Sequence, residues 1–192
     1  MRFLYSALVV LALAACSETP PPAPLEPLQF NSPTYTLNVA TITVAQDYHS
    51  PRRPPNVEYL SDITPTQAVK QWAATRLVAA GHQNSFEVDI KDAAIVKTEL
   101  PKQKTGIVGM FTTEQTEQYD GTLTVELRIY SPQSVLAVAH AEVTVQQRLT
   151  LPENTTPIDR QRLYHQMTLD LMKALEAEID ANIRQHLSSY LM

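Results

Sequence analysis

The alternation of apolar and polar positions divides the chain beyond Pro33 into legible elements. Thr34 to Val44, TYTLNVATITV, is rich in β-branched residues and predicts a first strand. Tyr35, Leu37 and Val39 share one face of it, while Ala40, Ile42 and Val44 share the other, so a bulge or twist is expected to switch the register. After a loop at HSPRRPP, the segment TPTQAVKQWAATRLVAAG predicts a helix from Thr64. Thr64 is the N-cap, Pro65 takes the first helical position and Gln67 completes a capping box. Val69, Trp72, Ala73, Leu77 and Ala80 form its apolar stripe, with Gly81 as a left-handed stop.

In FEVDIKDAAIV, Phe86, Val88 and Ile90 alternate with Glu87, Asp89 and Lys91 to make a second strand. A third is TLTVELRIY, where Leu123, Val125, Leu127 and Ile129 face inward and Thr124, Glu126 and Arg128 outward. A turn at Ser131 to Ser134 leads into a long fourth strand, Val135 to Leu149. Its inward Ala137, Ala139, Ala141, Val143 and Val145 offer shallow relief to a packed helix. That helix is capped by Thr156, with Pro157 and Asp159 behind it, and carries a stripe from Leu163 through Met167, Leu171, Leu175, Ile179, Ile183 and Leu187. Extended to Tyr190 it would span roughly 50 Å at about 1.5 Å per residue. The order β-α-β-β-β-α predicts an α+β fold: a two-layer sandwich with two helices on one face of a four-stranded, mostly antiparallel or mixed sheet.

Upstream the pattern changes. Arg2 precedes an apolar run from Phe3 to Ala15, interrupted only by Tyr5 and Ser6. The run is too short to span a bilayer, which takes about 20 residues, and fits the apolar region of a secretory leader. At its end, Leu13-Ala14-Ala15-Cys16 resembles the lipobox of bacterial lipoproteins. The resemblance implies diacylglyceryl transfer to the Cys16 thiol, cleavage before Cys16 and N-acylation, with palmitate-type chains serving as a membrane anchor. Ser17, where the family uses aspartate for inner-membrane retention, implies sorting to the outer membrane, with the protein on its periplasmic face. Six of the fourteen prolines fall between Pro20 and Pro33, which predicts a polyproline-like spacer. The expected organisation is a signal peptide over 1–15, a lipidated cysteine and proline-rich tether over 16–33, and a periplasmic α+β domain over 34–192.

Composition narrows the chemistry. The chain is 44% hydrophobic, enough for a core, and its formal net charge of −5 supplies no basic stripe for nucleic acid. Four scattered glycines build no phosphate-cradling loop. Cys16 is the single cysteine, so once acylated it leaves the mature chain without a disulfide or a thiol nucleophile. The five histidines show no metal-binding spacing, and neither metal nor cofactor is expected. His140 and Glu142 point the same way from the fourth strand, the best constellation for a hydrolase, yet an outward strand face accounts for them. Glu176, Glu178 and Asp180 read as a charged helix surface. No catalytic residue is assigned, and the chain is not expected to be an enzyme.

One loop stands apart. Between the second and third strands, Gly106 to Phe111 is apolar and framed by polar residues, so Ile107, Val108, Met110 and Phe111 are the candidate partner-binding residues. The lipobox, tether and element order together resemble small periplasmic accessory lipoproteins of envelope transport, such as lipopolysaccharide-assembly lipoprotein E and the auxiliary lipoproteins of lipid-transport ABC systems. The segment VEYLSDITPTQAVKQWAATRL is also similar to uncharacterised alphaproteobacterial lipoproteins. These resemblances imply a non-enzymatic accessory or scaffold that docks an envelope protein. The alternative is a periplasmic carrier holding a lipid or other apolar ligand between sheet and helices.

Overall fold

The computed structural model describes residues 24–101, 115–152 and 154–192. The strands are β1 (Tyr35–Leu37), β2 (Thr41–Gln46), β3 (Leu77–Ala79), β4 (Ser85–Glu99), β5 (Gln115–Tyr130) and β6 (Ala137–Pro152). The helices are α1 (Pro65–Arg76) and α2 (Pro157–His186). The fold is the expected α+β type. A four-stranded mixed sheet runs in the order β2-β4-β5-β6, with β2 parallel to β4 and the remaining pairs antiparallel. A second, two-stranded sheet pairs β1 with β3 in parallel.

Both helices start where the caps predict. The Thr64 side chain accepts from the Gln67 N–H at 3.2 Å, and the Gln67 side chain accepts in turn from the Thr64 N–H at 2.9 Å. Thr156 likewise accepts from the Asp159 N–H at 3.2 Å. The two helices lay their apolar stripes on one core with Phe86, Val88, Leu123, Val125, Leu127 and Ile129. α2 runs directly over Gly121, where an added Cβ would come 3.0 Å from Leu171 and 3.2 Å from Met167.

Several expectations are corrected. The first strand is two strands in two sheets: Tyr35 and Leu37 of the small sheet, and Val39 just after it, are buried, and Ile42 and Val44 pack on the same core from the large one. Both of its faces are apolar because the chain changes sheet between Leu37 and Thr41. α1 ends at Arg76, four residues short of the expected Ala80, since Leu77–Ala79 goes extended to pair with β1. Gly81 is accordingly not a helix stop and does not adopt a left-handed conformation. It is needed for close approach: a Cβ there would lie 2.5 Å from the Asn38 carbonyl carbon and 2.6 Å from the Val39 nitrogen. Within β4 a bulge between Ile90 and Asp92 inserts Lys91 and shifts the buried phase, so that Ala93 and Ile95 also face the helices. α2 ends at His186; beyond it a 3-10 turn, Ser188–Tyr190, brings the C-terminus onto β1, where Asn38 N–H donates to the Tyr190 carbonyl at 2.7 Å.

The last part of the expected tether is also structured. Asn31 and Ser32 donate their N–H groups to the Glu176 carboxylate at 3.1 and 3.0 Å. Arg76 reaches the Phe30 carbonyl, the His165 ring bonds the Glu26 carbonyl at 2.6 Å, and Leu28 and Phe30 pack against the core. Residues 26–32 therefore lie along α1 and α2, and packing begins upstream of residue 34. Glu176, read as surface charge, is buried beneath this segment.

Candidate functional site

With both helices on one face, the other face of the large sheet carries the outward residues of β4, β5 and β6. Its centre is a charged cluster. β4 contributes Glu87, Asp89 and Lys91, β5 contributes Glu126 and Arg128, and Asp47 follows β2. The register sets Glu87 opposite Arg128 and Asp89 opposite Glu126. Arg128 therefore sits among three carboxylates, bonded to Asp89 and lying 3.5 Å from Glu87 and 3.6 Å from Glu126. Lys91, displaced by the bulge, bridges Asp47 at 2.5 Å and Asp89 at 3.3 Å.

Asp89 is the buried member: its side chain is 2% exposed, and among the described residues its Oδ1 has no hydrogen-bond partner. Three of the groups around it, Asp47, Lys91 and Arg128, are held in their ionised forms. The hydrogen bond to Lys91 holds Asp47 below the usual carboxylate range, and the bonds to Asp47 and Asp89 push the Lys91 ammonium up. Burial works against the charge on Arg128, but the field of Glu126, Tyr130, Asp89 and Glu87 outweighs it and raises the pKa. Groups fixed in this way are poor proton shuttles near neutral pH. They are well suited to presenting a permanent pattern of charge.

His140 and Glu142 stand on this same face and are exposed, as their spacing predicts. The register places His140 opposite Arg128 and Glu142 opposite Glu126, and no hydrogen bond joins the two among the described residues. Ile107, Val108, Met110, Phe111 and Cys16 lie outside the described residues. Among those described, no group of His, Cys, Asp and Glu side chains is placed to hold a metal ion. No described helix is long and apolar enough to cross a membrane.

Sequence reasoning put Glu87, Asp89 and Arg128 outward but did not join them, because alternation within a strand says nothing about its neighbour's register. It also passed over Glu58, which is buried where residues 47–60 cover the free side of β4. Tyr48 Oη donates to it at 2.8 Å, the Ile95 N–H at 3.2 Å, and Ser50 Oγ also donates. Burial pushes the Glu58 pKa up, but these donors outweigh it and hold the carboxyl below its ordinary value.

A folded-state pKa below the unfolded one contributes stability that is complete above the unfolded pKa and is lost as pH falls through the folded one. Glu58→Gln is therefore expected to cost about 1.5–3 kcal/mol at pH 7, the range for hydrogen bonds to a charged group. The gap from wild type should close on acidification below about pH 4 as Glu58 itself protonates. Chemical denaturation across that range measures it, and a gap independent of pH would contradict the assignment.

No family model matches the chain, and no curated protein matches it. Several solved structures are similar in part. A minor lipoprotein from Acinetobacter baumannii is 12% identical, over 78% of this chain and 96% of that one, with a TM-score of 0.43. Rare lipoprotein B from Shewanella oneidensis is 9% identical, over 76% and 94%, with a TM-score of 0.40. A putative neuraminyllactose-binding hemagglutinin homolog from Helicobacter pylori is 10% identical, over 90% and 94%, with a TM-score of 0.41. Similarities of this size decide neither family nor function.

Proposed function

We propose that this protein is a lipoprotein anchored by Cys16 to the periplasmic face of the outer membrane, serving there as a non-enzymatic scaffold in envelope transport or assembly. What supports a scaffold over a carrier is the filled space between sheet and helices. Trp72, Phe86, Leu123, Leu127, Met172 and Leu175 meet there with no more than 1% exposure, in the crevice where a carrier would seat its ligand. Among the described residues the opposite face is uncovered, and it carries charges pinned in place, which suits recognition of a partner surface rather than turnover. The lipobox resemblance carries the anchor, and the loop holding Ile107, Val108, Met110 and Phe111 is the second docking element.

The test is made on the full chain in cells. Metabolic labelling with a palmitate analogue should mark the wild type, and Cys16→Ser should lose both label and membrane association; a labelled, membrane-bound variant overturns the anchor. Photo-crosslinking from Thr122 and from Phe111 should capture one discrete envelope protein. Ile107→Asp with Met110→Asp should abolish the capture from residue 111 while thermal stability is retained. Capture that survives both substitutions removes the loop's role, and apolar lipid co-purifying in equal ratio with the protein replaces the scaffold with the carrier.

A further inference from the structure

The two long edges of the large sheet are treated differently. On the β2 side, the length of β4 that β2 does not reach is closed by backbone: the Val57 N–H donates to the Ile95 carbonyl at 2.8 Å, and the Lys97 N–H to the Pro55 carbonyl at 2.8 Å. β6 forms the other edge. Its pairing with β5 runs unbroken from Ala139 to Leu151, and among the described residues no backbone hydrogen bond leaves its outer side between Val138 and Leu151. Natural edges are blunted by lysine, proline, bulges or short length. β6, AVAHAEVTVQQRLTLP, has sixteen residues, no lysine, no bulge within that span and no proline before its last position.

We propose that this edge is the contact surface for a second copy of the chain, with β6 pairing antiparallel to the partner's β6 about a two-fold axis at Val145. The axis position follows from the side chains. Glu142 and Arg148 are the only Asp, Glu, Lys or Arg residues in β6, and they lie three residues on either side of Val145. In this register each Glu142 stands opposite the partner's Arg148, giving two opposite-charge pairs on the open face. Arg148 engages Asp120 of its own chain at 2.5 Å through Nε, and a guanidinium carries further N–H donors that a second carboxylate can take.

On the helix side, small residues meet large ones: Ala139 faces the partner's Leu151 and Ala141 the partner's Leu149. Ala139, Leu149 and Leu151 are only half-buried in the single chain, and this pairing covers them. The same axis overlaps the strand almost fully, from Val138 to Pro152. Moving it by one residue sets Glu142 opposite Gln146 and Arg148 opposite His140, or Glu142 opposite Thr150 and Arg148 opposite Thr144. Only the axis at Val145 unites full overlap, paired charges and matched size. The product is a continuous eight-stranded sheet, an isologous dimer that removes the open edge.

The test uses the full chain. Sedimentation equilibrium in density-matched detergent, at less than one chain per micelle, should show a reversible dimer. Glu142→Arg should weaken it roughly tenfold or more, since both symmetric pairs change from attraction to repulsion. That substitution removes a like-charge pair with Glu126 inside the chain, so lost dimerisation would not reflect lost folding. In cells carrying a Thr144→Cys chain and a differently tagged Gln146→Cys chain, mild oxidation should join the two chains in preference to either with itself, because those positions face each other only in this register. A wild type that stays monomeric overturns the proposal. So does a dimer indifferent to Glu142→Arg that forms no bridge between positions 144 and 146.

Discussion

Replacing Trp72 with alanine is expected to lower the unfolding free energy by about 3–5 kcal/mol, the range for deleting a fully buried large side chain. Trp72 projects from the middle of α1 into the core and is completely buried. Its indole N–H donates to Ser32 Oγ at 3.1 Å, and Ser32 is itself bound to Glu176. The truncation thus opens a cavity under α1 and withdraws a donor from the segment that strings residues 26–32 across both helices. Trp72→Phe keeps most of the volume and removes the donor, so its cost should be nearer the ~1 kcal/mol of one hydrogen bond. Urea denaturation followed by circular dichroism separates the two, with hydrogen exchange at Asn31 and Ser32 reporting the segment. Equal costs for the two variants would show that volume is not what Trp72 supplies.

Arg128→Met should be similarly severe. Removing one partner of a buried ion pair costs about 3–5 kcal/mol, because the remaining charge stays buried without its counter-ion. Asp89 is that charge, and among the described residues Lys91 at 3.3 Å would be its only remaining cation. The expected loss is about 3 kcal/mol, since Arg128 is less deeply buried than Asp89. Adding Asp89→Asn to Arg128→Met should recover a substantial part of it, because the neutral amide needs no counter-ion. A double-mutant cycle measured by chemical denaturation checks this coupling. Additive effects of the two substitutions would mean that Asp89 and Arg128 contribute independently.

How far the chain could be read ahead of its structure depends on the reach of each signal. The caps at Thr64 and Thr156 were legible because a cap is closed by a residue three positions away. The alternation of β5 was legible because its inward residues, Leu123 to Ile129, all meet one helical layer. The end of α1 was not. Leu77, Val78 and Ala79 continue a helical pattern on their own, and pairing with Tyr35–Leu37, some forty residues earlier, overrides that preference. The charged cluster shows the same limit. Glu87, Asp89, Glu126 and Arg128 were each placed on the outward face, but the register and the Lys91 bulge decide which charges touch.

By itself, then, the sequence determined the two helices and where they start, the three long strands and the apolar faces of these elements, all of which depend on contacts within a turn of helix or a few strand positions. The tertiary structure alone decided the second small sheet, the close approach that requires Gly81, the docking of residues 26–32 over Glu176, and the β6 edge, open among the described residues. Each of these joins backbone or side chains distant in the chain, and their free energy exists only once the sheet and helices have assembled.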